Sequence, residues 1–367
     1  MDYLKDLEKI VNINSYTQNK SGVDKVSNVM SSWLKRIGFS LNVYERETVG
    51  NHTLYKTPKI EGLKNILLLG HNDTVFPEGY FEGYTEDKEY IYGPGVCDMK
   101  GGNIVALQSL RNIYKKNRQI NNIDFMLVSD EETGSDDSSL VTSKIAKDYD
   151  YCFVFEAAGQ NLELVTARKG VGRYIVNIEG RASHAGTSYK KGINANLEAA
   201  YKLQEYSKLI DFDKGTIVNV GKIEGGMGIN TVSPHCQMQM EFRFDTVQEK
   251  KRVIEEVDRI TQHSYVDGTK SKADCVIQRD VMQENTKQLE FVKLIEELIG
   301  ESIKVEKRGG VSDANVVAGQ GVTTLDGFGP FGDGDHTKKE RALKSSFEQR
   351  INMMTKVLDY FQGDSCE

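Results

Sequence analysis

The feature that most constrains this chain is an apolar run at residues 66–70 that leads directly into His71 and Asp73. An uninterrupted apolar run is typical of a buried strand in a parallel sheet. Ligands of open α/β sheets bind at the carboxyl ends of such strands. A lone histidine after a strand more often has a structural role. A histidine followed by a nearby carboxylate nevertheless fits a metal ligand whose second ring nitrogen is held in place.

Further acidic and histidine residues follow at positions of the same kind. Strand patterns at 123–129 and 151–155, a glycine-rich turn at 93–95 and a glycine-rich segment before residue 335 each end in such a residue. Carboxylates and imidazoles gathered at one sheet edge need a cation to offset their repulsion and desolvation. Asp, Glu and His ligands without a thiolate favour zinc, with manganese or cobalt as alternatives. The residues delivered in this way are Asp98, Glu131, Glu132, Glu156 and His336.

Taken together, these motifs resemble those of the co-catalytic dinuclear zinc peptidase family. That family includes glutamate carboxypeptidase, aminoacylase, acetylornithine deacetylase, succinyl-diaminopimelate desuccinylase and tripeptidase. The resemblance covers essentially the whole chain in the right order. Residues 70–77 and 92–95 are most similar to the glutamate carboxypeptidase (carboxypeptidase G) branch. The motifs that carry the resemblance are His71-x-Asp73, residues 93–102, residues 130–135 and Glu156.

The resemblance implies a site for two zinc ions, with cobalt or manganese as substitutes, in which Asp98 bridges both ions. His71 and Glu156 would complete the coordination of one ion, and Glu132 and His336 would complete that of the other. A bridging carboxylate holds two ions ~3.5–4 Å apart, so that both can polarise one water.

The remaining residues of the motifs acquire roles from the same resemblance. Glu131 lies beside a ligand and has no metal role, so it is the expected general base that takes a proton from the bridging water and passes it to the leaving nitrogen. Asp73 is expected to orient His71. The resemblance also implies a cis peptide bond between Asp98 and Met99, which is rare outside proline.

The substrate side rests on weaker motifs. Residues 180–186 resemble the lid histidine motif, which implies that His184 reaches across a dimer to stabilise the tetrahedral oxyanion. Asn230 and Arg243 match positions associated with the terminal carboxylate of the substrate, which an arginine can bind through two hydrogen bonds. The alternatives are a histidine of a hairpin turn for His184 and a surface ion pair for Arg243.

A glycine-rich turn at 309–315 also resembles part of the substrate site. Gly310 and Ser312 lie where glycine flexibility and backbone N–H groups at a helix start suit a carboxylate, although Ser312 can equally be a helix N-cap. The chain departs from the family pattern at Asp333 and Asp335, beside the last histidine. This departure leaves the identity of the substrate open, but not the metal site.

The periodicity of the chain predicts an α/β fold. Helical patterns at 2–12 and 22–37 alternate with buried strands, whereas the pattern after residue 156 predicts an antiparallel sheet with helices on one face. The resemblance implies a mixed-sheet zinc-exopeptidase catalytic domain, residues 1–166 and 282–367, with a smaller α+β lid and dimerisation domain inserted at 167–281.

The composition narrows the class of partner. The 367 residues favour two domains, and a net charge of -7 argues against nucleic acid and anionic membranes. No apolar segment approaches the ~20 residues of a membrane span, and the start of the chain is unlike a signal peptide. Five cysteines without paired spacing favour reduced thiols and a cytoplasmic location.

These observations predict a zinc-dependent hydrolase that cleaves an amide next to a free carboxylate, as a carboxypeptidase releasing a C-terminal residue such as glutamate. The substrate would be a small peptide or an N-acyl-amino acid, and the family implies a homodimer formed through the lid. One alternative is an N-acyl-amino-acid deacylase, and another is a non-catalytic homologue that binds peptides. Glu131 argues against the last, because a binding module needs no glutamate that is not a metal ligand at this position.

Overall fold

The computed structural model describes residues 2–363, which form nine α-helices and sixteen strands. The helices are α1 (Asp2–Val11), α2 (Lys20–Lys35), α3 (Lys100–Asn117), α4 (Ser138–Ala146), α5 (Ala195–Ser207), α6 (Val247–Gln262), α7 (Thr286–Ile299), α8 (Asp313–Ala318) and α9 (Lys344–Tyr360). The strands are β1 (Ser40–Tyr44), β2 (His52–Lys56), β3 (Ile66–His71), β4 (Thr85–Glu86), β5 (Tyr90–Tyr92), β6 (Ile123–Val128), β7 (Tyr151–Val154), β8 (Leu164–Arg168), β9 (Gly170–Glu179), β10 (Ile217–Gly225), β11 (His235–Phe244), β12 (Lys270–Arg279), β13 (Val305–Arg308), β14 (Thr323–Leu325), β15 (Gly332–Asp333) and β16 (Arg341–Leu343).

The chain folds into two compact units. The first unit contains the residues up to Ala167, the segment Glu284–Arg308 and the residues from Ser312 onward. The second unit contains Arg168–Gln283 and Gly309–Val311. The second unit is therefore inserted into the sequence of the first.

The first unit is built around a six-stranded mixed sheet in the order β1-β2-β6-β3-β7-β14. Strands β6, β3, β7 and β14 are parallel to one another, whereas β2 pairs antiparallel with both β1 and β6. Every residue of β3 and β6 is buried, as their apolar runs predict. The carboxyl ends of β3, β6 and β7 meet at one edge of the sheet, where they deliver His71, the turn after residue 128, and Glu156.

Helix α3 starts in close contact with that edge. A Cβ added to Gly102 would lie 1.9 Å from the carbonyl oxygen of Phe155, so only glycine lets the helix approach the end of β7 this closely. On the other side, the buried Lys100 Nζ donates to the carbonyl oxygens of Ile10 and Ile13, at 3.0 and 2.9 Å. The turn that precedes α3 is thereby fixed beside the sheet.

A second, smaller sheet of the first unit has the order β15-β16-β5-β4 and is antiparallel. Strand β5 leads into the turn before α3, and β15 leads into the loop that carries His336. Because β16 pairs with both β5 and β15, it connects these two segments.

The second unit contains an antiparallel four-stranded sheet in the order β10-β11-β9-β12. Helices α5 and α6 pack on one face, where they bury alternate residues of β9 and β11 such as Val176 and Met238. The antiparallel sheet with helices on one face is as the sequence predicts. Near the two ends of the inserted segment, Arg168 and Met282 exchange backbone hydrogen bonds of 2.9 and 3.1 Å.

Strand β12 and helix α4 are among the elements that have no counterpart in the sequence-based prediction. Strand β12 lies at an edge of its sheet and most of its residues are exposed or half-buried, so no apolar alternation marks it. Helix α4 contains three serine or threonine residues after its first position, which weakens its helical pattern.

The cysteines are unpaired where the structure describes them: Cys97, Cys152, Cys236 and Cys275 are free, and Cys366 lies outside the described residues. Within residues 2–363 no helix combines the length and the apolar character that crossing a membrane requires.

Candidate metal centre

His71 lies at the end of β3 with both ring nitrogens engaged. The imidazole is 1 % exposed, and its Nδ1 lies 3.0 Å from the carbonyl oxygen of Asp73. Its Nε2 lies 3.2 Å from Asp98 Oδ1 and 3.8 Å from Glu156 Oε1. Because Nδ1–H donates to the carbonyl oxygen, the lone pair of a neutral ring at Nε2 faces two carboxylates.

His336 approaches Asp98 through the other carboxylate oxygen. Its Nε2 lies 3.2 Å from Asp98 Oδ2 and 3.1 Å from Glu132 Oε2. The imidazole is 58 % exposed and its backbone has a φ of 60°, in a loop rather than a strand. Asp98 therefore stands between two imidazoles, each of which also faces a second carboxylate.

This arrangement fits two cations that share Asp98. When the proton of each neutral imidazole is on Nδ1, the Nε2 atoms and the carboxylate oxygens that they face are all acceptors, so they repel one another unless a proton or a metal ion lies between them. His71, Asp98 and Glu132 each offer a ligand atom within 4.8 Å of the others. The donors are nitrogen and oxygen atoms without thiolate, which suits zinc, cobalt or manganese.

The pKa values of the histidines and glutamates reflect the close approach of these side chains. Burial alone would lower the pKa of His71, but Asp73 and Asp98 outweigh it and raise that pKa well above its ordinary value. Hydrogen bonds to Asp98 and Glu132 raise the pKa of His336 to about 11. Burial, reinforced by the charge of Asp98, raises the pKa of Glu132 and of Glu156 well above the usual range. Each of these shifts favours the protonated form of its group, which lowers the negative charge of the cluster.

Asp73 ties the first histidine to the acidic turn. Its Oδ1 lies 3.4 Å from His71 Nδ1. The same carboxylate accepts the backbone N–H groups of Glu131 and Glu132, at 3.3 and 3.2 Å. The hydroxyl of Thr17 donates to Asp73 Oδ2 at 2.7 Å. One buried carboxylate thus fixes both a ligand and the turn that follows β6.

Glu131 is half-buried and begins a short 3-10 turn, Glu131–Thr133. Its negative charge contributes to the raised pKa of both Glu132 and Glu156. The carboxylate of Glu131 therefore lies near the cluster, whereas it does not belong to the group of three closest ligand atoms.

The turn before α3 has two special features. The peptide bond between Asp98 and Met99 is cis, as expected. The thiol of Cys97 donates to Asp335 Oδ1 at 2.7 Å. Burial, with the charges of Glu340 and Asp335, raises the pKa of Cys97 well above its ordinary value, so this thiol is not an activated nucleophile.

In the second unit, His184 lies exposed on a turn. Its Nδ1 accepts backbone N–H groups from Gly186 and Thr187 at 3.1 and 3.2 Å, which leaves the proton on Nε2. The backbone N–H of Ala185 donates to the carbonyl oxygen of Asn230 at 2.9 Å. The second unit thus brings His184 and the Asn230 segment together.

The other predicted substrate residues have partners within their own units. Arg243 donates from Nε to Glu241 and from Nη1 to the carbonyl oxygen of Gly309, at 2.8 and 2.9 Å. The carbonyl oxygen of Gly310 accepts from Arg168 Nη1 at 3.0 Å. These contacts include the ion pair that the sequence leaves open as an alternative for Arg243.

Ser312, in the first unit, is the N-cap of α8. Its Oγ accepts the backbone N–H of Ala314 at 3.1 Å and donates to Asp326 Oδ2 at 2.7 Å. The structure therefore gives Ser312 the capping role that was one of its two interpretations.

Sequence reasoning missed two residues that support the centre. Glu340 is 1 % exposed and accepts backbone N–H groups from Gly95, Cys97 and Asp98, at 3.1, 3.1 and 3.2 Å. Thr17 is the second, through its contact with Asp73. Both act across long sequence separations, so no local motif marks them.

Comparison with known proteins places these features in a family. The profile of "Peptidase family M20/M25/M40" matches residues 67–360. Carboxypeptidase G2 of Pseudomonas sp. (strain RS-16) is 28% identical over 368 residues, which are 97% of this chain and 88% of that protein. An acetylornithine deacetylase of Photorhabdus laumondii is 28% identical over 237 residues, 60% of each chain. The crystal structure of aminopeptidase PepT from Bacillus cereus has a TM-score of 0.80 at 21% identity and covers 98% of both chains.

Proposed function

Since the chain belongs to peptidase family M20/M25/M40 and is a metallopeptidase, we propose that it hydrolyses the amide bond next to a free carboxylate in a small peptide. In this proposal it acts as a carboxypeptidase, with glutamate as a candidate C-terminal residue. The likeness to carboxypeptidase G2, which extends over 97% of the chain, supports this choice.

The observation that carries the proposal is the position of Asp98 between two imidazoles. His71 and Glu156 would hold one zinc ion with Asp98, and Glu132 and His336 would hold the other, with cobalt or manganese as substitutes. When bound, the two cations would supply Lewis-acid activation of a water and charge stabilisation for the carbonyl oxygen. Asp73 keeps the His71 ring oriented through its carbonyl and carboxylate oxygens.

Glu131 moves the proton in this mechanism. A carboxylate oxygen of Glu131 accepts a proton from the water that attacks the scissile carbonyl carbon. The same group then donates that proton to the amide nitrogen as the C–N bond breaks. The hydrogen bond from the Glu131 backbone to Asp73 fixes the start of the turn that carries this side chain.

The substrate side belongs to the same proposal. His184, with its proton on Nε2, donates to the developing oxyanion, and we propose that it does so across a homodimer formed by the lid. Arg243, together with Asn230 and Gly310, binds the terminal carboxylate of the substrate, while Ser312 caps α8. The proposed catalytic domain is 1–166 and 282–367, the proposed lid is 167–281, and the proposed location is cytoplasmic.

A deacylase for N-acyl-amino acids is the second candidate. The likeness to acetylornithine deacetylase supports it, since that protein is as similar in identity as carboxypeptidase G2, although over a shorter stretch. Both reactions use the same machinery and differ in the group on the far side of the scissile amide. A purely binding role is disfavoured because Glu131 lies at the centre without a place in either ligand set.

The test is the release of amino acids from a mixed pool of dipeptides, N-acyl-glutamates and other N-acyl-amino acids, followed by mass spectrometry. Zinc-loaded protein is compared with the same protein kept in a chelator. We expect release that the chelator abolishes, and the substrates consumed will separate the carboxypeptidase from the deacylase. Absence of release from every member by protein with two bound ions would contradict both hydrolase proposals for these substrate classes.

A further inference from the structure

Glu340 is a buried residue whose carboxylate accepts hydrogen bonds from one short stretch of backbone. Its Oε2 accepts the N–H of Gly95 at 3.1 Å, and its Oε1 accepts the N–H groups of Cys97 and Asp98 at 3.1 and 3.2 Å. These three donors belong to the turn that delivers Asp98. A carboxylate can satisfy three such donors at once because it offers acceptors only.

The segment around Glu340 also carries His336. Glu340 directly precedes β16, which pairs with β15 on one side and with β5 on the other. A further contact holds the same loop, since Asp335 Oδ1 accepts the thiol of Cys97 at 2.7 Å. We call the contacts of Glu340 and Asp335 with the turn 95–98 the loop clamp. The clamp connects the backbone of Asp98 to the loop of His336.

The two imidazoles differ in how much they need such support. His71 ends a fully buried strand whose neighbours fix its position. His336 lies on an exposed loop, and its side chain is 58 % exposed. Its place relative to Asp98 therefore depends on contacts between its loop and the turn 95–98, which are those of the clamp.

We propose that Glu340, assisted by Asp335, is a positioning residue that holds Asp98 and His336 in register and thereby sets the affinity for the cation bound by Asp98, Glu132 and His336. This inference rests on the proposed metal centre. The ion bound by His71, Glu156 and the shared Asp98 depends less on the clamp, because two of its three ligands follow strands of the main sheet.

A Glu340→Gln substitution tests this directly. Glutamine keeps the shape but replaces one acceptor oxygen by an N–H donor, which leaves at least one of the three backbone N–H groups without an acceptor. Zinc would be titrated into metal-free full-length protein against a chromophoric chelator, and the two binding constants compared. Loss of a residue that orients metal ligands typically lowers metal affinity by about 10–100-fold. We expect a loss of that size for one ion and a much smaller change for the other.

Asp124→Asn is the matched control. Asp124 is fully buried in the same unit and accepts the backbone N–H of Thr57 at 2.9 Å, but it lies at the opposite end of β6 from the centre. Its replacement should lower the thermal stability of the protein and leave both zinc affinities unchanged. The control separates a general loss of packing from a loss of ligand geometry.

Several results would overturn the inference. Wild-type affinity for both ions in Glu340→Gln would remove the positioning role and leave the proposed function intact, as would an equal loss of both. Wild-type protein that binds no zinc would instead contradict the proposed centre, and the clamp with it. If Glu340→Gln does not fold, Asp335→Ala, a change in the exposed loop, must weaken the same single ion, and unchanged affinity there would refute the clamp.

Discussion

Two regions of the molecule bury charged side chains, and they do so in opposite ways. In the second unit, Lys202 and Glu198 are fully buried and lie 3.0 Å apart. Lys202 Nζ also donates to the carbonyl oxygens of Ile260, Thr261 and His263, at 2.7, 3.0 and 2.6 Å. Glu198 accepts backbone N–H groups as well, and these come from Tyr265 and Val266.

At the sheet edge of the first unit, by contrast, several carboxylates and two imidazoles are gathered around one carboxylate. Asp98 lies between His71 and His336, and both imidazoles face further carboxylates. Within residues 2–363, the carboxylate of Asp98 forms its ion pairs with His71 and His336, and none with a lysine or arginine. Burial of charge therefore does not by itself identify a site. A candidate metal site is identified instead by several acceptor groups at close range whose mutual repulsion an added cation can offset.

The largest expected effect is on catalysis at the cluster of carboxylates and imidazoles around Asp98. Glu131→Gln should lower kcat by about 10²–10⁴-fold, because general-base catalysis contributes that much. Both ions should remain, as measured by metal content after gel filtration. Its neighbour provides the matched comparison, since Glu132→Gln should lose one of the two ions. Full activity in Glu131→Gln would exclude it as the base.

Substitution in the buried ion pair of Lys202 and Glu198 should lower stability instead. Glu198→Gln leaves the charge of Lys202 buried without its partner, which should cost about 3–5 kcal/mol, measured by urea denaturation of the full chain. Zinc affinity should not change. Glu205→Gln is the control, because Glu205 pairs with Lys208 at the surface and should cost less than about 1 kcal/mol. Equal costs for the two pairs would show that burial does not matter here.

A substitution at Asp73 should produce a smaller effect at the cluster. Asp73→Asn retains an acceptor but replaces one oxygen by a donor that faces the N–H of Glu131 or Glu132. We expect metal affinity or kcat to fall by about 10–100-fold, measured by chelator competition and steady-state kinetics. Thr17→Val, which removes only the hydroxyl contact with Asp73, should act in the same direction and more weakly. A variant of Asp73 with unaltered kinetics and metal binding would contradict its orienting role.

The smallest expected effect concerns an ordinary helix end of the second unit. Thr246 is the N-cap of α6, and its hydroxyl accepts the backbone N–H of Glu249 at 3.1 Å. Thr246→Ala should destabilise the protein by about 1 kcal/mol, while Thr246→Ser should be nearly neutral in the same urea denaturation. Zinc binding should stay as in the wild type for both, as for Glu198→Gln. A change in metal affinity in these variants would contradict the expectation that substitutions in the second unit leave the metal centre unaffected.

The sequence predicts those features that depend on local pattern. The apolar runs of β3 and β6 predict buried parallel strands, and parallel strands bring their carboxyl ends to one edge, so the residues after them can be inferred to converge. The amphipathic helices α2 and α9 are evident for the same reason, since their periodicity is local.

What the sequence does not reveal depends on contacts between distant segments. Glu340 lies in a Lys-Lys-Glu-Arg stretch, where its sequence context is typical of a solvated charged residue. The pairing of β16 with β5 is what brings it next to the turn of Asp98. The pair of Lys202 and Glu198 has the spacing of a solvated helical ion pair, and its burial follows from the packing of α5 against α6. Such roles are set by tertiary structure and leave no local signature.

The backbone bonds between Arg168 and Met282 have a consequence for changes in the length of the chain. They place the entry and exit of the inserted segment side by side, so more than a hundred residues occupy the position of a loop in a hairpin. Because the cost of closing a loop rises only slowly with its length, residues added to or removed from the inserted segment leave the direction of the flanking chain unchanged.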